Sequence, residues 1–332
     1  MDSLSQLVLG AAIGYAVAGK KMGKQALLWG AFSGTLPDLD FIPTLPFNDE
    51  FVYLKHHRGF SHSILGALVM SPLLALAFSR LKKTLRFIPL FNIFLWGILS
   101  HLLLDCFTTW GTQVFWPLST RVSWNTIFIV DPLYTLPLVG SVFATCFYKS
   151  HHVRKRVVMI GLIVSSFYLI WAIGVKQYLN PQFEALFSHH KLDVIRYTTR
   201  PTAFNSILWS TTAETSSGYY YGQISLLDST FQGPLYFFKK NHHLPDKFNE
   251  KKVQELISYT KGYYSITDQK NSLYIHDFRY GYLGDPWLNT PKPVFAYLLE
   301  KEGGALLLSV DNPRPENGPD LLKQVWNRLK GI

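Results

Sequence analysis

Cysteine and charge are both scarce in this chain. Only two of its 332 residues are cysteines, Cys106 and Cys146, and 16% are charged, whereas 48% are hydrophobic. Both cysteines fall within apolar stretches and the chain contains no CxxC pair, so we expect neither a structural disulfide nor a thiolate metal site. The first residues also lack the basic region and the small-residue cleavage site of a secretory signal peptide. We therefore interpret the apolar start as a retained helix.

The distribution of basic residues argues against a nucleic-acid-binding protein. The formal net charge is +10, but the basic side chains cluster in short connections between apolar runs. That placement is typical of topology control by the positive-inside rule, not of a basic stripe that follows a phosphate backbone. Because no nucleic-acid binding motif accompanies the charge, we expect no nucleic-acid partner.

Apolar runs dominate the first 179 residues and predict an all-α polytopic membrane bundle of about six helices. The six segments are residues 7–18, 26–36, 63–81, 87–107, 127–147 and 157–179. The first two are short, since a full span needs about 20 residues. Gly10, Gly14 and Ala18 recur at four-residue spacing in the first segment, which permits the close approach of a second helix.

Basic residues between these segments predict the topology. Clusters at 20–24, 80–86 and 149–156 follow the first, third and fifth segments, and we assign all three to the cytoplasmic side. Alternation then puts both termini, and every polar cluster described below, on the outer face of the membrane. The sequence therefore predicts a multi-pass protein of the cell's inner membrane with its functional site on the extracytoplasmic side.

A change of pattern at residue 180 predicts a second domain. Residues 180–332 alternate polar with aromatic and aliphatic side chains, which is typical of strands. We predict strands at 219–227, 263–267 and 273–279 and amphipathic helices at 251–259 and 320–329. The predicted organisation is a membrane-embedded helical domain over residues 1–179, followed by a small α+β extramembrane domain over residues 180–332. The sequence names no protein partner for that domain.

Histidine and aspartate cluster beside the apolar runs, where both are costly and therefore indicate a function. His101 and Asp105 lie four residues apart, so on a helix they project from the same face. One divalent ion can be held by both side chains. The alternative is a hydrogen-bonded pair at the end of a helix.

A second cluster precedes the third apolar segment. His57 and His62 lie on either side of a four-residue turn, and we expect Ser61 to cap the helix that follows. His62 would then face a group bound at the start of that helix, and Arg58 is a natural partner for a phosphate or a carboxylate. The alternative is a loop whose histidines lie at the headgroup interface.

Further carboxylates complete the pattern. Asp38 and Asp40 lie two residues apart, and in extended backbone they would face the same side and clamp one ion or bridge two; the alternative is an acidic turn. Asp131 begins a helix, where the dipole favours a carboxylate, and a helix-start role and a catalytic role fit the sequence equally. Three clusters at one face predict a divalent metal site. Its candidate ligands are Asp38, Asp40, His57, His62, His101 and Asp105.

The ordered set of these motifs resembles the YdjM family of membrane-bound metal-dependent hydrolases. The matching segments are residues 1–4 with Gly10, 34–40, 57–63, 101–105, 110–112 and 131–132, and they cover about the first half of the chain. The resemblance implies one or two divalent ions, zinc being favoured over manganese, held by His and Asp on helices, and it implies hydrolase activity. Many members carry a His near the start of the first helix where this chain has Gln6, which implies fewer or more weakly bound ions.

Two functions remain open on the sequence alone. In the first, the metal activates a water that hydrolyses an ester or phosphoester of a lipid or lipid-linked substrate at the outer membrane surface. Arg58 would steady the anionic group, and Asp131 or one of the paired aspartates would act as the base. In the second, the site is structural, and the membrane protein presents its C-terminal domain to a partner. A metal transporter is disfavoured, because the polar residues gather at one membrane edge rather than through its depth.

Overall fold

Two compact units make up the chain. The computed structural model describes residues 1–47, 50–269, 272–283, 292–302, 305–311 and 318–331. The first unit comprises Met1–Pro46, Lys55–Ile173 and Ala203–Asn205, and the second comprises Phe47–Leu54, Gly174–Thr202 and Ser206–Ile332. The predicted domain boundary at residues 179 and 180 falls inside a helix, so the division into units does not coincide with a break in secondary structure.

Helices build the first half of the chain, as predicted. The α-helices are α1 (Ser3–Met22), α2 (Gln25–Thr35), α3 (Glu50–His56), α4 (Ile64–Leu81), α5 (Phe87–Cys106), α6 (Pro132–Ala144) and α7 (His151–His189), and 3-10 segments cover Leu36–Phe47 and Phe60–His62. Each predicted apolar segment corresponds to one of these helices. The helical character of the N-terminal half is therefore confirmed.

Three of the predicted membrane helices meet the criteria of length and composition for a span. In the described part of the chain, α4, α5 and α7 are long and apolar enough to cross a membrane. Helix α6 is apolar but has only 13 residues, and α2 has 11, against the roughly 20 that a span needs. A bundle of six membrane helices is thus not confirmed, whereas a membrane protein with about three candidate spans is.

Glycines bring α1 and α2 into backbone contact. A Cβ atom on Gly10 would lie 2.3 Å from the carbonyl oxygen of Gly30, and one on Gly14 would lie 2.4 Å from that of Ala26. Ala18, one turn further on, is buried. The predicted close approach of a second helix to α1 is therefore confirmed. A larger side chain at either glycine would force the two helices apart.

A second close contact holds α2 against α5. A Cβ atom on Gly97 would lie 1.8 Å from Ser33 Oγ, and that hydroxyl donates a hydrogen bond to the carbonyl oxygen of Ile93 at 3.1 Å. Helix α2 is thus fixed between α1 and α5 by small side chains on both of its sides. These contacts position the C-terminal end of α2, which is followed by the segment that carries Asp38.

The basic connections meet at one end of the helical unit. Lys24 Nζ, after α1, donates to the carbonyl oxygen of Cys146, after α6, at 3.1 Å. Met22 packs against the apolar cluster that includes Leu85, which lies between α4 and α5. Cys146 and the buried Cys106 are both free, as expected from their separation in the predicted topology.

Antiparallel sheets dominate the second unit. The first sheet has the order β1 (Arg196–Pro201), β2 (Leu208–Glu214), β3 (Gly218–Ser225) and β4 (Tyr236–Lys239). The second contains β5 (Tyr264–Gln269), β6 (Ser272–Asp277), β9 (Ala296–Glu302) and β10 (Ala305–Asp311) in the order β10-β9-β6-β5, and β7 (Tyr282–Leu283) pairs with β8 (Lys292–Pro293). Helices α8 (Lys251–Tyr259) and α9 (Gly318–Leu329) complete it, with 3-10 turns at Asp246–Phe248 and Phe278–Tyr280.

The strand and helix predictions for this region are confirmed, with one difference at its start. The helix predicted over 157–179 continues as α7 to His189, through Pro181. Its last turns bury Phe183 and Leu186 in a cluster with Trp209 of β2 and Ile224 of β3. Burial of that apolar face explains why the helix continues beyond the predicted boundary.

Replacing Gly30 with Ala is expected to destabilise the helical unit. The new Cβ would lie 2.3 Å from the carbonyl oxygen of Gly10 and 2.9 Å from the Cα of Gly14, and such overpacking costs about 1–3 kcal/mol. The midpoint of thermal unfolding of the detergent-purified protein measures this cost. Gly140→Ala in α6 is the matched control, because nothing lies within 4 Å of its Cβ position. Equal midpoints for the two variants would contradict the backbone contact.

Candidate metal centre

Four of the six predicted ligands meet at one point. Asp38 comes from the 3-10 segment after α2, His62 from the 3-10 turn before α4, and His101 and Asp105 from the last turns of α5. One nitrogen or carboxylate oxygen from each of the four lies within 4.8 Å of all the others. The side chains of His62, His101 and Asp105 are fully buried, whereas that of Asp38 is 28% exposed. The group therefore opens on the side of Asp38.

Five of the six distances between the four donor atoms are close to the edge length of a coordination tetrahedron. His62 Nε2 lies 3.1 Å from His101 Nε2 and 3.3 Å from Asp38 Oδ1. His101 Nε2 lies 3.5 Å from Asp38 Oδ1 and 3.5 Å from Asp105 Oδ2, and the distance from His62 Nε2 to Asp105 Oδ2 is 3.6 Å. Donors about 2.0–2.1 Å from a zinc ion are about 3.3 Å apart. These five distances are thus close to the spacing that such an ion requires, and all four donor atoms lie within 4.8 Å of one another.

Hydrogen bonds at the far side of each ring leave Nε2 free to bind. His101 Nδ1 lies 2.6 Å from the carbonyl oxygen of Gly34, so this nitrogen carries the proton and donates it. His62 Nδ1 lies 2.9 Å from Ser61 Oγ and 3.4 Å from Asp40 Oδ2. A carbonyl or carboxylate in this position is typical of metal-binding histidines, because it fixes the tautomer and the ring orientation.

Asp40 is the residue that organises the turn before α4. Its Oδ2 accepts hydrogen bonds from the backbone N–H of Arg58 at 3.0 Å and from Ser61 Oγ at 3.2 Å, and its Oδ1 lies 3.1 Å from His57 Nδ1. Arg58 has a φ of 60°, a strained backbone conformation for a residue other than glycine. The contact with Asp40 holds this turn in place. Asp40 and His57 therefore lie beside the four-residue group, not in it.

The local backbone explains why Asp38 and Asp40 separate. In extended backbone, the predicted conformation, residues two apart would face the same side. Leu36–Phe47 is instead a 3-10 helix. With three residues per turn, positions two apart point in different directions. Asp38 thus faces the histidines, and Asp40 faces the turn at 57–61.

Asp105 lies at the most crowded position in the group. Its Oδ1 accepts hydrogen bonds from Gln6 Nε2 at 3.1 Å and from the amino group of Met1 at 2.5 Å. Its Oδ2 is buried and, among the described residues, has no hydrogen-bond partner. Arg58 Nε lies 3.4 Å from this oxygen. An ion bound between the four side chains would supply the missing partner of this Asp105 oxygen.

Arg58 and Asp131, the two predicted catalytic residues, both make hydrogen bonds or ion pairs within the protein. Arg58 is buried, and besides its contact with Asp105 its Nη1 donates to Thr108 Oγ1 at 3.4 Å. Asp131 caps α6: its Oδ1 accepts from the backbone N–H of Leu133 at 3.1 Å, and its Oδ2 accepts from the Tyr168 hydroxyl at 2.7 Å. The described contacts of Asp131 are those of a helix cap.

The predicted cap of α4 was wrong by two residues. Ser63, not Ser61, occupies the cap position and accepts a hydrogen bond from the backbone N–H of Gly66 at 2.8 Å. The reason is the 3-10 turn Phe60–His62, which delays the start of the α-helix. Ser61 is thereby freed to contact Asp40 and His62.

Electrostatics keeps the carboxylates outside the helices ionised. Burial alone would raise the pKa of Asp38, but its interactions with His101 and His62 outweigh that effect and hold the pKa well below its usual range. The pKa of Asp40 is also lowered, because the interactions with His57 and His62 exceed the opposing effect of burial. Both groups are therefore anionic at neutral pH, as a cation site requires.

The donor set fits a divalent ion. Two imidazole nitrogens and two carboxylate oxygens are ligands that zinc accepts, and carboxylates also suit manganese. The buried, unsatisfied oxygen of Asp105 supports this fit, since a buried carboxylate atom without a partner is costly. Within the described residues, the site can hold an ion through Asp38, His62, His101 and Asp105.

Sequence reasoning missed three contacts that shape the site. The carbonyl oxygen of Gly34 orients His101, and Thr108 Oγ1 donates to the carbonyl oxygen of Asp105 at 2.8 Å while accepting from Arg58. Gln6, identified as a departure from the family pattern, contacts Asp105 directly. The signal for Gln6 was its place one turn before Gly10, on the face of α1 that packs against α2 and α5.

Comparison with known proteins identifies relatives of the helical half. A family model described as YdjM inner membrane protein matches residues 1–179. The uncharacterized protein YfhP of Bacillus subtilis (strain 168) is 29% identical over 140 residues, which is 40% of this chain and 42% of that protein. The chain thus spans less than half the length of this relative in the match. No solved structure matches the chain.

Substitutions at Asp38 and Asp40 are expected to differ in their effect on metal binding. Asp38→Asn removes a charged donor from the group of four and should abolish stoichiometric zinc binding. Asp40→Asn should keep the stoichiometry but weaken the affinity about 10–100-fold, because it loosens the groups that orient His62. Competition with a chromophoric chelator on the detergent-purified protein measures both quantities. Equal loss of metal in the two variants would mean that Asp40 is itself a ligand.

Proposed function

This chain belongs to the YdjM inner membrane protein family, and on that premise we propose that it is a membrane-bound metal-dependent hydrolase. The substrate class we assign is an ester or phosphoester of a lipid or a lipid-linked molecule. Family membership agrees with the resemblance found in the sequence, and the apolar helices α4, α5 and α7 agree with a bilayer environment. The hydrolase activity and its substrate are our inference.

One observation carries this proposal. Two imidazole Nε2 atoms and two carboxylates converge as a group that could hold a divalent ion, and one of the four ligands is partly exposed. Buried charged groups at the edge of a membrane protein are expensive and are characteristically functional. Metal-dependent hydrolysis needs a side from which water and substrate can reach the ion, and the exposed part of Asp38 supplies one.

Each residue of the site has a separate role in this proposal. A divalent ion, when bound, supplies Lewis acidity and lowers the pKa of a water molecule towards neutrality. Asp105 and the two histidines are held rigid by Gly34, Gln6, Asp40 and Thr108. Arg58 holds Asp105 in place rather than binding the substrate, because its guanidinium is buried against that carboxylate. Asp38, the partly exposed ligand, lies at the side from which a substrate would approach.

Exposed apolar side chains near the site favour a lipid or lipid-linked substrate. Phe41, Ile42 and Leu45 are exposed on the same 3-10 segment that carries Asp38. Exposed Trp116 contacts the ring of Phe60, next to the turn that carries His62. Aromatic and aliphatic side chains of this kind are enriched where proteins meet the membrane interface. A hydrophobic substrate could approach across this surface without leaving the bilayer.

The orientation of the chain in the membrane is proposed from the position of its basic connections. The basic connections after α1 and α6 contact each other, and the metal-type residues lie on connections at the opposite helix ends. The positive-inside rule assigns the basic end to the cytoplasm. We therefore propose that the site and the C-terminal domain are extracytoplasmic.

A non-catalytic role is the second candidate, and one feature of the site favours it. Four protein donors already fill a tetrahedron, and closed four-ligand sites are typical of structural zinc. In that case the metal would stabilise the helical unit, and the chain would present its C-terminal domain to a partner. Hydrolysis by the metal-loaded protein separates the two functions.

The double variant His101→Ala, Asp105→Ala is expected to lose both bound metal and hydrolysis. It removes two of the four donors, so the ion that activates water has no site. Metal content of the purified protein and the release of headgroups from a panel of phospholipids and lipid-linked phosphates measure the two effects. His243→Ala, Asp246→Ala is the matched control, since both residues are exposed in the C-terminal half. Hydrolysis that persists in the metal-free variant would exclude the proposed activity, and metal without any hydrolysis in the wild type would favour the structural role.

Asp131→Asn is expected to leave hydrolysis close to the wild-type rate. Asn caps helices about as well as Asp, so the variant should retain α6 and change only the charge. If Asp131 were instead the catalytic base, the rate would fall by about 10²–10⁴-fold. The rate on the substrate identified in the panel, measured with saturating metal, distinguishes the two roles.

A further inference from the structure

Helix α9 carries an exposed apolar and basic face far along the chain from the metal site. Leu322 and Trp326, one turn apart, are 53% and 58% exposed. Lys323 and Lys330 are also exposed and lie on the adjoining side of the helix, and Lys330 Nζ is 5.5 Å from the centre of the Trp326 ring. We define these four residues as the α9 face.

Contacts at the end of α9 hold the helix from another side. Arg328 forms a bidentate pair with Asp228, at 2.6 and 2.7 Å, and also donates to the carbonyl oxygen of Gln223 at 2.9 Å. Ser225 Oγ donates to the carbonyl oxygen of Leu329 at 2.6 Å. These buried contacts fix the orientation of the helix, and within the described residues they leave the α9 face open to solvent.

We propose that the α9 face docks on the surface of the membrane. Leu322 and Trp326 would enter the headgroup region, and Lys323 and Lys330 would meet anionic headgroups. A helix with an apolar strip flanked by lysines is typical of segments that lie in the interface, and tryptophan is enriched there. This inference does not depend on the proposed hydrolase activity.

Two features favour a bilayer as the partner over a second copy of the chain. Helix α7, a candidate span, continues without a break into the second unit, so the same chain that carries α9 is anchored in a membrane. A symmetric contact between two α9 faces would also place the lysines of one copy next to those of the other. Charge complementarity is available from anionic lipid and not from the same face of a second molecule.

The test places a spin label on the α9 face and at two exposed positions that lie away from Leu322 around the helix. Leu322→Cys carries the label on the face, and Asn327→Cys and Asp320→Cys, both exposed, are the matched controls. Each is made in the full-length chain with the exposed Cys146 replaced by Ser, while the buried Cys106 is kept. The protein is reconstituted in phosphatidylcholine vesicles with and without phosphatidylglycerol.

Docking predicts that the label at 322 is accessible to oxygen and shielded from a water-soluble nickel complex, whereas labels at 320 and 327 show the reverse. Trp326→Ala should remove this difference. Replacing Lys323 or Lys330 with Gln should lower the docked-to-undocked ratio about fivefold each in anionic vesicles, and Lys251→Gln, on exposed α8 surface, should not.

Either of two results would overturn the inference. A label at 322 as accessible to the nickel complex as the label at 327 would show that the face remains in water. A label shielded from both oxygen and nickel would show a protein contact, with a second copy or with another part of the chain.

Discussion

The candidate metal site depends on one constraint, the close packing of α2 between α1 and α5. Glycines let the backbones of α1 and α2 touch, and Gly97 admits Ser33 on the other side. Because of this fit, the carbonyl oxygen at Gly34 reaches His101, and Gln6 reaches Asp105. Backbone contact between helices thus determines which nitrogen of His101 can bind a metal.

Charge balance is the second requirement, and Asp105 shows how it is met. A fully buried carboxylate is unfavourable unless it is paired and hydrogen-bonded. Arg58, Gln6 and the amino group of Met1 satisfy part of it, and one oxygen is left facing the two histidines. A divalent cation at that point would complete the balance, which links the stability of the site to metal binding.

Part of the site could be predicted because two of its residues share a helix and the predicted topology put the remaining clusters at the same face. The four-residue spacing of His101 and Asp105 fixes their common face on α5, and alternation identified the strands of the second unit. The roles of Asp38 and Asp40 could not be separated, since that depends on a 3-10 backbone which the pattern does not reveal. The cap at Ser63, the carbonyl contact of Gly34 and the extension of α7 to His189 depend on tertiary packing. The apolar runs predicted six membrane helices, and among the described residues α4, α5 and α7 meet the criteria of helix length and composition.

The central claim is that Asp38, His62, His101 and Asp105 together bind one divalent ion. X-ray absorption at the zinc edge of the purified, zinc-loaded protein tests it most directly, because imidazole rings give a distinct outer-shell scattering pattern. The account predicts a four-coordinate ion with two imidazoles and only nitrogen and oxygen donors at about 2.0–2.1 Å. A sulfur donor at about 2.3 Å, or a spectrum without imidazole scattering, would contradict it.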